Sequence, residues 1–306
     1  MVTKFKQQFE NKKYFFLGVF TGIIFVFLGA ITYIGLQNYN AVRYQQLHPI
    51  IETRKSLVKF LPPDIKKEIK YASPSATFRV PILLYHYVEY VQNKSDKLRM
   101  QLNVDPNVLD SQIQTLQNAG YTFMTAKQLG DVLDGKAKMP VKPILLTFDD
   151  GHWDFETDVL PILEKYHVHA TAYIITGFLG GSDFMTPYQL ETVIKSGLVD
   201  VGAHTVHHLS LKGLPYTTVK YEIDQSKETL ENVYHVNAVS FSYPNGSFDL
   251  QSVQLVKEAG FTTAVSTVPG IYQNQINRFF LYRLRPGYRT GQALLNFLNQ
   301  STFAAY

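Results

Sequence analysis

Apolar residues are distributed along this chain in three different ways. Residues 14–36 run for 23 positions without a charge, long enough at 1.5 Å per residue to cross a hydrocarbon core of roughly 30 Å. Residues 37–79 show no sustained period, and Leu61-Pro62-Pro63-Asp64 and Ala72-Ser73-Pro74-Ser75 interrupt any long helix. A short helix over 65–71 fits between these breaks. From Val80 onward, short apolar runs alternate with amphipathic stretches. The runs at 80–85, 122–124, 144–148, 170–175, 199–203, 238–242, 262–266 and 280–284 read as strands. Asp105-Pro106 opens a helix over 107–118, Thr125 opens one over 126–133, and Thr186-Pro187 with Gln189 forms a capping box. Gly120, Gly197 and Gly260 stand where helices should stop. Strand and helix alternating in this way predict one α/β domain over 80–306 with a parallel sheet, open or closed into a barrel.

Charge sharpens the division. Residues 1–36 carry a net +3, residues 37–79 a net +5 and residues 80–306 a net −4. The basic excess therefore belongs to the N-terminal quarter, and the folded body has no nucleic-acid-binding character. Lys4, Lys6, Lys12 and Lys13 precede the apolar run. By the positive-inside rule they keep 1–13 as a cytoplasmic tail, make 14–36 a transmembrane helix and put 37–79 outside as a stalk. A cleaved signal peptide has a shorter apolar core and a small-residue cleavage site. Residues 32–36 offer a poor one, so an uncleaved single-pass anchor in the cell membrane is expected. Cysteine is absent, so any metal has to be held by His, Asp or Glu.

Two motifs at strand ends carry the candidate chemistry. Ile144-Leu145-Leu146 leads into Thr147-Phe148-Asp149-Asp150-Gly151. Two adjacent carboxylates leaving a buried strand are costly unless a positive group, usually a metal, lies beside them, although a simple turn also uses Asp-Asp-Gly. The run ending at Ala203 leads into His204-Thr205-Val206-His207-His208. His204 and His208, four apart, would share one face of a helical turn and could bind one ion. Such a pair is also ordinary surface composition. Together the motifs supply three metal ligands and a spare carboxylate, the minimum for metal-assisted hydrolysis with an open coordination position.

With these two motifs the chain resembles the polysaccharide deacetylases of the NodB-homology class, carbohydrate esterase family four. The resemblance covers about residues 80–306 and implies a distorted (β/α) barrel with fewer strands than the eight-stranded parent. It implies Asp149 as catalytic base and Asp150, His204 and His208 as ligands of a divalent ion. Zn²⁺ suits that set best, and Co²⁺, Ni²⁺ or Mn²⁺ would also fit. The family's R-x-P-x-G motif is partly present as Ser242-Tyr243-Pro244-Asn245-Gly246, whose Tyr243 main-chain N–H is expected to face the oxyanion. Ser242 replaces the Arg that orients the base. Arg283 and Arg285 are candidate substitutes, while ordinary rim or structural arginines are the commoner reading.

The family's late Leu-x-His motif is missing, since residues 278–289 hold four Arg and no His. Leu84-Tyr85-His86 matches it at the other end, resembling the permuted branch that includes poly-N-acetylglucosamine deacetylases and implying His86 as general acid. The remaining histidines, His152 and His207 among them, have no needed role. The expected activity is hydrolytic N-deacetylation of poly-N-acetylglucosamine or peptidoglycan, with Tyr87, Trp153 and Tyr188 available to stack on sugars. An O-acetyl glycan esterase and an inactive glycan-binding homologue are the alternatives.

Overall fold

The computed structural model describes residues 60–70 and 76–300. The segment expected to span a membrane, 14–36, lies outside the described residues. Among those described, no helix is long and apolar enough to cross a bilayer.

Eight strands form the central sheet: β1 (Ile82–Tyr85), β2 (Thr122–Phe123), β3 (Pro143–Phe148), β4 (Ala170–Ile174), β5 (Val199–Ala203), β6 (Ser240–Ser242), β7 (Thr263–Pro269) and β8 (Leu281–Arg283). The order is β8-β7-β6-β5-β4-β3-β1, with β2 paired to the start of β3, and every pairing is parallel. Beyond β8, Leu284 bridges in parallel to Leu83. Its N–H donates to the Ile82 carbonyl and its carbonyl accepts from Leu84 N–H, each at 2.8 Å. These bonds nearly close the ring, giving the distorted barrel expected for a NodB-type domain.

Apart from the short β2, the strands are buried on both faces, as a parallel sheet wrapped in helices requires, and side-chain alternation splits them into two apolar regions. Ile82, Leu145, Tyr173, Val265 and Leu281 share one cluster with Ala126, Leu129, Val132 and Leu133 of the helix Ala126–Leu133. Leu83, Ile144, Leu146, Ala172 and Ile174 belong to the second, larger cluster with the other helices. The period-two rule then carries the first face onward along β3 and β8. Leu145, Thr147 and Asp149 follow one another on it, as do Leu281 and Arg283, so Asp149 and Arg283 reach the same end of the barrel.

Local signals act as the sequence predicts. Thr125 with Gln128 and Thr186 with Gln189 form capping boxes, and Asp105 precedes Pro106 at the start of the helix Pro106–Asn118. His167 and His235 each close a helix in left-handed backbone. Ahead of residue 80, the helix Pro63–Lys70 adds to the packed body, with Leu61 and Ile65 buried in the larger cluster. Asp64 accepts from Leu250 N–H at 2.6 Å. Phe78–Arg79 pairs antiparallel with Tyr272–Gln273.

Candidate active site

The carboxyl ends of the parallel strands open onto a cleft of ≈ 820 Å³, lined in part by His86, Asp149, Asp150, His204 and His208. This is the end at which α/β barrels carry their chemistry. β3 delivers two acids there. Asp149 continues the strand, donating its N–H to the Tyr85 carbonyl at 3.0 Å. Asp150 and Gly151 then turn through left-handed backbone, φ 77° and 79°. A Cβ at Gly151 would meet Ile174 at 3.0 Å in that conformation, so the turn favours glycine there.

Asp149 is braced on both oxygens. Arg283 Nη1 donates to Oδ1 and Nη2 to Oδ2, both at 2.7 Å, and Ser242 Oγ donates to Oδ2 at 3.2 Å. Arg283 is 1% exposed and also donates to the Ser266 carbonyl and to Thr147 Oγ1. Burial alone would raise the Asp149 pKa, but the Arg283 charge and its two hydrogen bonds bring it down to about 2. Arg283 thus occupies the bracing position that Ser242 leaves empty, while Ser242 retains a lesser contact to the same carboxylate.

Asp150 has the opposite environment. Its Oδ1 lies 3.2 Å from His204 Nε2 and 3.3 Å from His208 Nε2, yet this buried oxygen has no hydrogen-bond partner. His204 Nδ1 donates to the Ser242 carbonyl at 2.7 Å, which leaves the lone pair of Nε2 directed at Asp150. The three ligand atoms lie within 4.8 Å of one another. Donors about 2.0–2.2 Å from a shared ion stand about 3.0–3.4 Å apart at near-tetrahedral or octahedral angles, so the group fits a divalent cation. Against burial, its histidine contacts and the neighbouring imidazole charges hold Asp150 well below the usual carboxylate range. Burial lowers the His204 pKa, but the adjoining Asp150 carboxylate and the Asp149 charge outweigh it and draw it up. Burial and the His204 charge push His208 down.

The two histidines do not sit on a helical turn, as their spacing suggested. Residues 204–208 form an irregular loop in which Thr205 and His208 have φ of 64° and 57°. That loop folds the rings to a centroid distance of 4.9 Å.

His86 follows β1 into the same cleft, and its buried Nδ1 has no partner. Burial lowers its pKa to about 4, although the Asp149 and Asp150 charges oppose the shift. Tyr243 departs from expectation. Its main-chain N–H donates to the Val265 carbonyl at 3.2 Å, continuing the β6–β7 ladder, and its buried hydroxyl donates to the Phe279 carbonyl. The amide is committed to the sheet and is not presented to an oxyanion; Tyr243 is therefore withdrawn from the site.

His152 has contacts that its position after Gly151 did not reveal. Its Nε2 lies 3.3 Å from Asp150 Oδ2 and its Nδ1 3.0 Å from the Asp183 carbonyl. The ring stacks on Tyr87 at 3.8 Å. Arg99 lies over the Tyr87 ring at 4.4 Å, so both faces of that ring are occupied and it offers no platform for a sugar.

The match to known proteins agrees with this geometry. Residues 136–264 match the family model for polysaccharide deacetylase. That segment contains Asp149, Asp150, His204 and His208, whereas His86 and Arg283 come from outside it. The candidate polysaccharide deacetylase YxkH of Bacillus subtilis is 28% identical over 245 residues, covering 79% of this chain and 80% of the relative. Poly-beta-1,6-N-acetyl-D-glucosamine N-deacetylase of Staphylococcus aureus is 26% identical over 243 residues, covering 72% and 82%. The solved structure of the Streptococcus pyogenes deacetylase PplD with acetate superposes with a TM-score of 0.67 at 26% identity, over 74% of this chain and 99% of the other. The barrel and the motif pair thus agree with the match of residues 136–264 to the polysaccharide deacetylase family and with relatives and solved neighbours that are themselves deacetylases.

Proposed function

We propose that the chain is a metal-dependent N-deacetylase of a cell-surface polysaccharide containing N-acetylglucosamine. The observation that carries this reading is the meeting, in one cleft, of a braced carboxylate, an Asp-His-His cluster and a buried imidazole with an unpartnered nitrogen. Asp150, His204 and His208 would hold the ion, Zn²⁺ being the best match to two imidazoles and one carboxylate. Such an ion supplies Lewis acidity toward water and the acetyl carbonyl.

The protein's own groups handle the protons. Asp149, ionised and aimed by Arg283, accepts a proton from the attacking water. His86 protonates the sugar nitrogen as the C–N bond breaks, because an amine anion is too poor a leaving group to depart unaided. With a pKa of about 4 in the free cleft, His86 starts neutral at pH 7 and has to gain its proton during turnover. The reaction can supply it, since both protons of water end on the amine while acetate leaves as the anion.

The S. aureus relative acts, by its name, on poly-beta-1,6-N-acetyl-D-glucosamine, which favours that polymer here, with the N-acetylglucosamine of peptidoglycan second. Residues 14–36 serve as a single-pass anchor with 1–13 in the cytoplasm, and the catalytic domain works outside. The four lysines ahead of the span support that orientation. The full chain, supplied in turn with Zn²⁺, Co²⁺, Ni²⁺ and Mn²⁺, should release acetate and an equal amount of free amine from poly-N-acetylglucosamine or peptidoglycan. Acetate from O-acetylated xylan alone would make it an esterase. Metal binding without acetate from any glycan would make it an inactive binding homologue.

A further inference from the structure

The loop joining His204 to His208 is irregular, and two of its residues occupy backbone space that side chains disfavour. Such a loop keeps one shape only if its surroundings over-determine it. On one side, Thr176 N–H donates to the Thr205 carbonyl at 3.2 Å and Gly177 N–H to the Val206 carbonyl at 3.0 Å. A Cβ at Gly177 would stand 2.5 Å from that carbonyl, so only glycine allows the approach. Within the loop, His208 N–H donates to Thr205 Oγ1 at 3.0 Å.

The other side rests on a single carboxylate. Glu222, in the helix Tyr216–Tyr234, is 2% exposed. Its Oε2 accepts from Val206 N–H at 2.9 Å and from His207 N–H at 2.8 Å, while its Oε1 lies 2.7 Å from His207 Nδ1. Val206 and His207 lie between the two histidines of the cluster, so the residue that fixes them sets how His204 and His208 face each other. A carboxyl group is rarely buried without such a set of donors to satisfy its oxygens.

We propose that Glu222 is the positioning residue of the cluster: it holds the 204–208 loop in the one shape that brings the two imidazoles onto Asp150, without touching ion or substrate itself. The inference rests on reading Asp150, His204 and His208 as the metal site. It also gives His207 a part, since its imidazole closes the third contact to Glu222 while staying half exposed to solvent.

The test is metal affinity in the full chain, measured by competition with a chromophoric chelator, beside the melting of the metal-free protein. Glu222→Ala should weaken Zn²⁺ binding about 10–100-fold, the usual scale for lost outer partners of ligands, at temperatures where the metal-free variant is still folded. Glu222→Gln should hold affinity to within about threefold, because its Oε1 can accept from both main-chain N–H groups and its Nε2 can donate to His207. In the wild-type metal-free chain, the Val206 and His207 amides should resist hydrogen exchange. Glu222→Ala with wild-type affinity, Glu222→Gln as weak as the alanine variant, or free exchange of both amides would each overturn the proposal. If Glu222→Ala does not fold, the glutamine variant and the exchange measurement decide. A wild-type chain that binds no divalent ion would instead overturn the metal reading, and amide exchange would still report whether Glu222 holds the loop.

Discussion

Asp149 and Asp150 are neighbours in sequence and opposites in environment. Asp149 has three donated hydrogen bonds and a guanidinium across both oxygens. Asp150 has an oxygen buried among two imidazoles with no donor of its own. The strand explains the divergence. Asp149 still obeys the alternation of β3 and meets Arg283 at the barrel axis, whereas Asp150, at φ 77°, has left the strand and faces the 204–208 loop. The first site is complete as built. The second has a donor set that could hold a cation.

The sharpest way to break this comparison is to exchange the losses. Asp150→Ala and His204→Ala should each abolish stoichiometric metal binding and lower deacetylation by about 10³-fold or more, the scale of several kcal/mol of Lewis-acid stabilisation. Asp149→Asn should also be inactive yet keep its metal. Elemental analysis of the purified variants beside acetate release decides the matter, and an Asp149 variant that loses its ion would make the two acids equivalent. Next in size is His86→Ala, expected to lower kcat by about 10²–10⁴-fold with metal content unchanged, the typical worth of general acid catalysis. Its defect should shrink on an activated aryl acetate, whose leaving group needs no proton. Equal impairment on amide and aryl ester would remove His86 from the acid role.

Arg283 tests the braced half alone. Arg283→Met leaves a buried carboxylate without its partner, which costs about 3–5 kcal/mol of stability, readable as a lower denaturation midpoint. Because the folded pKa of Asp149 is depressed to about 2, the wild-type contribution is present above its unfolded value near 3.8 and is lost as pH falls through 2. The methionine variant should therefore be penalised at pH 7 and converge toward wild type in acid. Arg283→Lys should recover only part of the loss, since one ammonium cannot match the two-oxygen geometry of a guanidinium.

How much of this was legible in the sequence follows from how local each signal is. The eight strands were readable because short apolar runs and capping residues such as Thr125 and Thr186 act within a few positions of themselves. Asp149, Asp150, His204 and His208 were readable as residue types at strand ends. Their arrangement was not, because the left-handed backbone at Thr205 and His208 has no glycine or asparagine to announce it. The partnership of Arg283 with Asp149 spans 134 positions, and only the closing of the barrel brings the two together. Tyr243 misled for a related reason: Pro244 and Gly246 mark a loop, but whether the preceding amide stays in the ladder depends on where β7 lies.

A third acid on the same stretch extends the comparison to its smallest expected effect. Asp154 is 1% exposed; its Oδ2 accepts from Val88 N–H, and its Oδ1 has no partner. Burial raises its pKa to about 6, the Val88 hydrogen bond and the His152 charge only partly opposing this. A carboxyl whose folded pKa lies above its unfolded value near 3.8 contributes stability below that value and loses it as pH rises through about 6. The two-unit gap corresponds to about 3 kcal/mol at most. Asp154→Asn keeps an oxygen for Val88 N–H and cannot ionise. The stability of the variant relative to wild type should therefore improve by about 1–3 kcal/mol between pH 4 and pH 8, whatever the fixed cost of placing an amide there. Urea unfolding at both pH values measures that difference with most other titrating groups cancelling. A difference that does not change with pH would mean Asp154 is ionised without penalty, and the contrast among the three acids would reduce to the first two.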